Sequence, residues 1–197
     1  MRYLKIILLA MAMLHGALAT YAAEPMRENY NLNSDWRFYF ADAPDVANAD
    51  YVTLPHTWNV EPTEGGYLRT MANYVRDLYV PSEWKGQRIF LQFGGAQSVA
   101  ELFINGCYVD EHRGGFTAFT FEITDKVRYG AVNHLRVVVS NNQRSDVLPL
   151  SSDINLAGGI YRDVKLLVTP SDIISPLYYV YQAIFFKGLF CFSDFIL

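Results

Sequence analysis

Apolar and polar residues alternate with a period of two along most of the chain from Asn29 onward. Trp36, Phe38 and Phe40 alternate with Arg37 and Tyr39, while Ile89, Leu91 and Phe93 alternate with Arg88, Phe90 and Gln92. The same rhythm runs through Phe119, Phe121 and Ile123, and through Leu135, Val137 and Val139. Successive side chains of an extended chain point to opposite faces, so each run predicts a strand with one face in a core. Gly94-Gly95 and Asn141-Asn142 punctuate the runs as turns. Between the apolar run from Val99 to Ile104 and the segment from Cys107 to Val109, Asn105-Gly106 supplies the two positive-φ positions of a type I′ hairpin turn. No segment carries a long helical stripe. The pattern predicts an all-β fold, an antiparallel jelly-roll sandwich of about eight strands.

Several stretches break the rhythm. Gly158-Gly159 lead into Ile160, Arg162, Val164, Leu166 and Val168, which would place Arg162 among aliphatic residues on one strand face. A guanidinium in that position needs an acidic partner, and Asp146 and Asp153 are the candidates just upstream. Leu54-Pro55-His56-Thr57-Trp58 follows a short strand, and its proline restricts it to an edge or corner. His56 there is expected to be tied to the backbone, a supporting role. Tyr67 to Tyr74 and Arg113 to Phe116 read as irregular backbone carrying polar and aromatic groups. The longest interruption, Ser140 to Gly159, holds Asp146, Asp153 and Asn155 among apolar residues, a composition suited to packing on the domain. Carboxylates and amides match sugar hydroxyls, and aromatic faces stack on pyranose rings, so carbohydrate is a plausible ligand class.

The ends of the chain differ from its middle. Arg2 and Lys5 precede the apolar run Ile6 to Leu14 and then small residues, which reads as a signal peptide over residues 1–22 and implies export to a periplasmic or extracellular space. Roughly 175 residues then remain, enough for one domain, expected over residues 29–170. Residues 171–197 turn into an apolar, aromatic run with Lys187 inside it, which reads as a truncated linker with an aberrant tail rather than an anchor. A formal charge of −4 without a basic cluster excludes nucleic-acid binding, and nothing after signal cleavage suggests membrane attachment. Cys107 and Cys191 form no disulfide framework, and His15, His56, His112 and His134 lie too far apart for metal-ligand spacing, so neither metal nor cofactor is expected.

Five motifs occur in order: Leu54-Pro55-His56-Thr57-Trp58; Val80-Pro81 with Trp84-Lys85-Gly86; Leu102-Phe103-Ile104-Asn105-Gly106; Gly114-Gly115-Phe116-Thr117-Ala118-Phe119; and Gly159-Ile160-Tyr161-Arg162-Asp163-Val164. Together they resemble the N-terminal sugar-binding domain of glycoside hydrolase family 2, which includes β-galactosidases, β-glucuronidases and β-mannosidases. The resemblance implies a jelly-roll domain with a β-galactoside-like carbohydrate as partner. It also implies an immunoglobulin-like sandwich and a TIM barrel with two catalytic glutamates, neither of which is found in these 197 residues.

The resemblance further implies that an aspartate in the loop before the Gly-Ile-Tyr-Arg motif reaches the sugar. Asp146, thirteen positions before Gly159, is the candidate substrate-binding residue, the alternative being a loop-stabilising carboxylate paired with Arg162 or Arg144. Arg162, Asp153 and His56 are the supporting residues. Retaining hydrolysis needs two carboxyl groups about 5 Å apart, and none of Glu61, Glu64, Glu101 or Glu111 matches the barrel motifs. No residue is therefore assigned as catalytic, and the chain alone is expected to be inactive. The competing readings are a freestanding carbohydrate-binding module and a structural interaction domain.

Overall fold

The structure is a computed structural model that describes residues 27–41, 49–60, 67–148 and 157–171. The signal peptide expected over residues 1–22 and the aberrant tail after Ser171 lie outside the described residues, as do Asp153 and Cys191. Ten strands run through the described part: β1 Glu28–Asn31, β2 Trp36–Phe40, β3 Asp50–Val52, β4 Met71–Val80, β5 Arg88–Phe93, β6 Val99–Ile104, β7 Cys107–Arg113, β8 Phe119–Glu122, β9 Ala131–Ser140 and β10 Val164–Thr169. All named pairs are antiparallel. One sheet has four strands in the order β1-β10-β5-β8, and the other has six in the order β3-β2-β4-β9-β6-β7.

The core lies between the sheets and is built from the alternating residues that the sequence marks out. Trp36, Tyr74, Phe93, Ile89, Leu91, Leu102 and Leu135 are almost fully buried. Each such side chain contributes about 1.5–3 kcal/mol through removal from water. Phe93 stacks on Phe119 with ring centroids 5.0 Å apart, and both meet Phe121 edge-on. The Trp36 indole N–H is satisfied by the Leu32 carbonyl, so burying it leaves no orphan donor.

Two of the predicted features take the expected form. The Asn105-Gly106 turn has φ +52° and +84°, the two left-handed positions that join β6 to β7. Pro55 follows β3, an edge strand. The segment expected to be irregular at its Tyr74 end is instead β4, ten residues long and hydrogen-bonded to both β2 and β9 near the middle of the large sheet. Its alternation is disguised by two polar residues. Arg76 sits among the inward positions but donates to the carbonyls of Leu32 and Ser34, and outward Asn73 is 7% exposed because Arg136 lies against it.

Candidate functional site at the loop end of the sandwich

The glycine pair and the strand it opens are gripped from two sides. His56 N–H donates to Ile160 O at 2.8 Å and Trp58 N–H to Gly158 O at 3.1 Å, while the Thr57 hydroxyl donates to the same Gly158 carbonyl at 2.8 Å. From the other side Gln97 N–H reaches Gly159 O at 3.0 Å and Gly94 N–H reaches Asp163 O at 2.8 Å. Both glycines are required by this geometry. Gly159 has φ +127°, and a Cβ there would meet the His56 carbonyl at 2.5 Å; a Cβ at Gly158 would run into the Trp58 indole.

Arg162 corrects the sequence expectation. Ladder pairing begins only at Val164, and residues 159–163 form one isolated bridge and a bend, so the period-two pattern does not extend back through Arg162. Ile160 is buried and Arg162 is exposed. Its guanidinium donates to the carbonyls of Gly94 at 3.2 Å and Phe116 at 3.4 Å and lies 5.2 Å from the Tyr161 ring centroid. Of the two acidic partners expected for it, Asp146 is engaged by other arginines and Asp153 lies outside the described residues. Pro55, Gly94, Tyr161, Arg162, Asp163 and Lys165 border an open depression of about 460 Å³ beside this bend.

His56 is held by a side chain rather than by the expected backbone carbonyl. Its Nδ1 lies 2.8 Å from the Tyr74 hydroxyl, which also receives a backbone hydrogen bond from Ile160. Burial of the ring favours the neutral imidazole, and in the tautomer that leaves Nδ1 unprotonated Tyr74 donates its proton to it. Burial raises the Tyr74 pKa and lowers that of His56, with Asp50 opposing the latter weakly. His112, stacked on Phe119, is also lowered by burial.

The sign of the linkage follows. A histidine whose folded pKa lies below its unfolded value contributes stability that is complete above about pH 6.5 and is lost as pH falls through the folded pKa. The melting temperature of the domain is expected to fall between pH 7 and pH 5, and His56→Gln should flatten that slope while lowering stability at pH 7. Thermal melts across this range check it, and a slope unchanged by the substitution would show that His56 is not kept neutral by burial.

A lattice of side-chain amides, missed in the sequence, fixes the neighbouring loops. The carbonyl of Leu68 accepts from Asn59 Nδ2 at 3.1 Å, Asn141 Nδ2 at 2.9 Å and Trp58 Nε1 at 3.3 Å. Asn141 Oδ1 in turn accepts from Thr70 N–H at 2.8 Å. Asn59 is 7% exposed and Asn141 1% exposed. In the sequence Asn141 reads as part of a turn pair, and nothing local shows that its side chain is buried.

Asp146 sits just beyond this lattice in an exposed position. Arg144 grips it with two bonds, Nε to Oδ1 at 2.8 Å and NH2 to Oδ2 at 2.9 Å, and Arg113 NH1 reaches Oδ2 at 2.7 Å. Of the two loop partners considered from sequence, Arg144 is the one found; Arg113, at the end of β7, is an addition. Arg113 also bridges to Glu111 at 2.5 Å. The hydrogen bonds from Arg144, reinforced by Arg113, lower the Asp146 pKa to about 2. The carboxylate is therefore an acceptor at any physiological pH, and three donors leave part of its lone-pair capacity open to a hydroxyl. Asp153, in the same loop, lies outside the described residues. Among the described residues no cluster of His, Cys, Asp and Glu has the geometry of a metal site.

Comparison with known proteins adds three findings. A family model described as the sugar binding domain of the glycosyl hydrolases family 2 matches residues 31–170. A β-glucuronidase of Bacteroides fragilis is 44% identical over 162 residues, covering 81% of this chain and 23% of the relative; a β-galactosidase of Thermoanaerobacter pseudethanolicus is 33% identical, covering 78% and 22%. Among solved structures, a Bacteroides uniformis β-glucuronidase superposes with a TM-score of 0.67 at 38% identity, covering 74% of this chain and 18% of that one. The chain thus spans about a fifth of the length of these relatives.

Proposed function

The chain belongs to glycoside hydrolase family 2 through its sugar-binding domain, and on that footing we propose that it presents the loop carrying Asp146 to a β-linked glycoside whose hydrolysis is performed by domains outside this sequence. The glycoside would carry glucuronic acid or galactose, the sugars named in the activities of the similar proteins. The observation that carries this reading is the arrangement of the loop end. The chain is pinned on both sides, by Asn141 at its start and by the Gly158-Gly159 clamp at its return, and between these anchors it holds an exposed, ionised carboxylate. A carboxylate positioned by two arginines orients hydroxyls without moving protons, so Asp146 acts in binding and not in bond cleavage. The partner domains implied are an immunoglobulin-like sandwich and a TIM barrel. The route implied is export.

Two measurements test the proposal. Titration calorimetry of the full chain with methyl β-glucuronide and methyl β-galactoside should give millimolar binding or none, because most sugar contacts belong to the other domains. Micromolar binding would instead establish a freestanding module. In a chimera where residues 31–170 replace the corresponding segment of the B. fragilis β-glucuronidase, Asp146→Asn should raise KM for a nitrophenyl glycoside about tenfold with little change in kcat, as expected for loss of a charge-assisted hydrogen bond. A loss confined to Asp153→Asn would move the contact to that residue and overturn the assignment to Asp146.

A further inference from the structure

Five of the ten large hydrophobic side chains left exposed among the described residues, Tyr51, Met71, Tyr79, Tyr108 and Val132, lie on one surface, the outer face of the six-stranded sheet. Alternation puts them there: Met71 and Tyr79 point away from the inward residues of β4, Val132 pairs with Tyr79, and Tyr51 and Tyr108 stand on the edge strands β3 and β7. Single exposed apolar residues are ordinary, whereas a cluster on one face marks an interaction surface. A row of Tyr51, Arg37, Val75, Arg136, Phe103 and Tyr108 crosses all six strands, and aromatic residues and arginine are the types that protein interfaces favour.

Charges on this face are separated by position. Arg37 stands on β2, and Glu101 on β6 has exposed Asp110 nearby on β7; none of the three has an ion-pair partner among the described residues. The other charged groups are engaged, Asp77 with His134 at 2.6 Å, Glu111 with Arg113, and Arg136 with the Phe103 ring and Asn73. The strand order β3-β2-β4-β9-β6-β7 places β2 and β6 equally far from the midline between β4 and β9, and β3 and β7 likewise. A twofold axis along that midline, lying between two such faces, sets β2 over the partner's β6 and β3 over the partner's β7. Arg37 then faces the partner's Phe103, and the partner's Glu101, two residues along the same strand, is about 7 Å away, within an arginine's reach. Tyr51 meets the partner's Tyr108. Arg136 leans from β9 toward β6, away from the axis, so the central cations of the two copies part.

We propose that this face is a homodimer interface, closed by a twofold axis along the β4–β9 boundary and held in register by two reciprocal Arg37–Glu101 pairs. A second copy is the occupant that the charges select. An isologous interface requires one patch to complement itself, and a face with a cation on one side of its midline and acids on the other does so. A partner of uniform charge would match only one side. The size is also sufficient: six strands at about 4.8 Å spacing and about 30 Å of strand give a footprint on the order of 700 Å², close to the roughly 800 Å² per partner of a standard interface. The pairs share no residue with the Asp146 loop, so the interface stands or falls independently of the function proposed above.

Sedimentation equilibrium of the full chain tests it, in reducing buffer so that the exposed Cys107 cannot cross-link two copies. The parent should sediment as monomer and dimer with a micromolar dissociation constant. Arg37→Glu and Glu101→Arg should each raise that constant about a hundredfold, because each sets two like-charged pairs across the axis. Mixed one to one, the two variants should dimerise again, since every reversed charge then faces its opposite. Thermal melts matching the parent's show that the variants remain folded; the neutral variants Arg37→Gln and Glu101→Gln, which should each weaken the dimer about tenfold, serve where a reversal perturbs folding. The proposal is overturned by a parent that stays monomeric, by dimers that the substitutions leave intact, or by a mixture that stays monomeric. Association through the edge of β7 or through the apolar run Ile184 to Phe192 would give the second of these results.

Discussion

Gly158→Ala should destabilise the domain by about 3 kcal/mol, near the upper end of what a single overpacked methylene costs. A Cβ at this position would lie 2.1 Å from Trp58 Cε2 and 2.3 Å from both Nε1 and Cζ2, well inside any real contact. The obstacle is the edge of a rigid indole, so a rotamer change cannot relieve it cheaply. Trp58 is itself restrained, because Nε1 donates to Leu68 O and its ring packs 6.1 Å from Phe38 and from Phe40. The strain would spread into the loop anchors on either side. For a domain of this size the melting temperature should fall by roughly 10 °C. A double-mutant cycle identifies the cause: in a Trp58→Ala background the added methyl group should cost far less, since its collision partner is gone. An equal cost in both backgrounds would mean that the indole is not what excludes a side chain at Gly158.

Asn141→Ala should cost about 2–3 kcal/mol, because it removes one hydrogen bond donated to Leu68 O and one accepted from Thr70 N–H at a residue that water does not reach. The Leu68 carbonyl retains two other donors, Asn59 and Trp58, whereas among the described residues no other acceptor is seen for the Thr70 N–H. The loss is therefore asymmetric, and the specific signature is at Thr70. Hydrogen exchange followed residue by residue should show the Thr70 amide losing most of its protection while amides in β9, paired with β4 and β6, keep theirs. Unchanged protection at Thr70 would show that the amide lattice does not hold this loop. Because Asn141 precedes the Asp146 segment by five positions, the same substitution should weaken any sugar contact made by the loop without touching the sugar.

Particular residues show what could be read before any coordinates. Trp36, Phe38, Ile89, Leu91 and Phe93 declare their faces by strict alternation, and period two is a local property of an extended chain. Asn105-Gly106 declares its turn because only a few residue types tolerate two successive positive φ angles. Arg162 misleads for the same local reason: the apolar alternation of β10 continues in residue type back through a bend, and nothing in the residues marks where ladder pairing starts. β4 hides because Asn73, Arg76 and Asp77 are acceptable in a strand only through partners on other segments, such as Arg136 for Asn73 and the Leu32 carbonyl for Arg76.

The all-β class, the sandwich, the hairpin at Asn105-Gly106 and, through five ordered motifs, the family are legible along the chain. These depend on periodicity, on backbone steric limits and on residue order, all of which are written along one dimension. Three-dimensional packing alone pairs Asp146 with Arg144 and Arg113, sets His56 against the Tyr74 hydroxyl, and makes Gly158 leave room for Trp58, a residue one hundred positions away. It also decided that Arg37, Arg136 and Phe103 form one row across the strands. Hydrogen bonds, ion pairs and steric exclusion act over a few ångströms in space, and the register that brings such residues together is set by the whole sheet rather than by any segment of it.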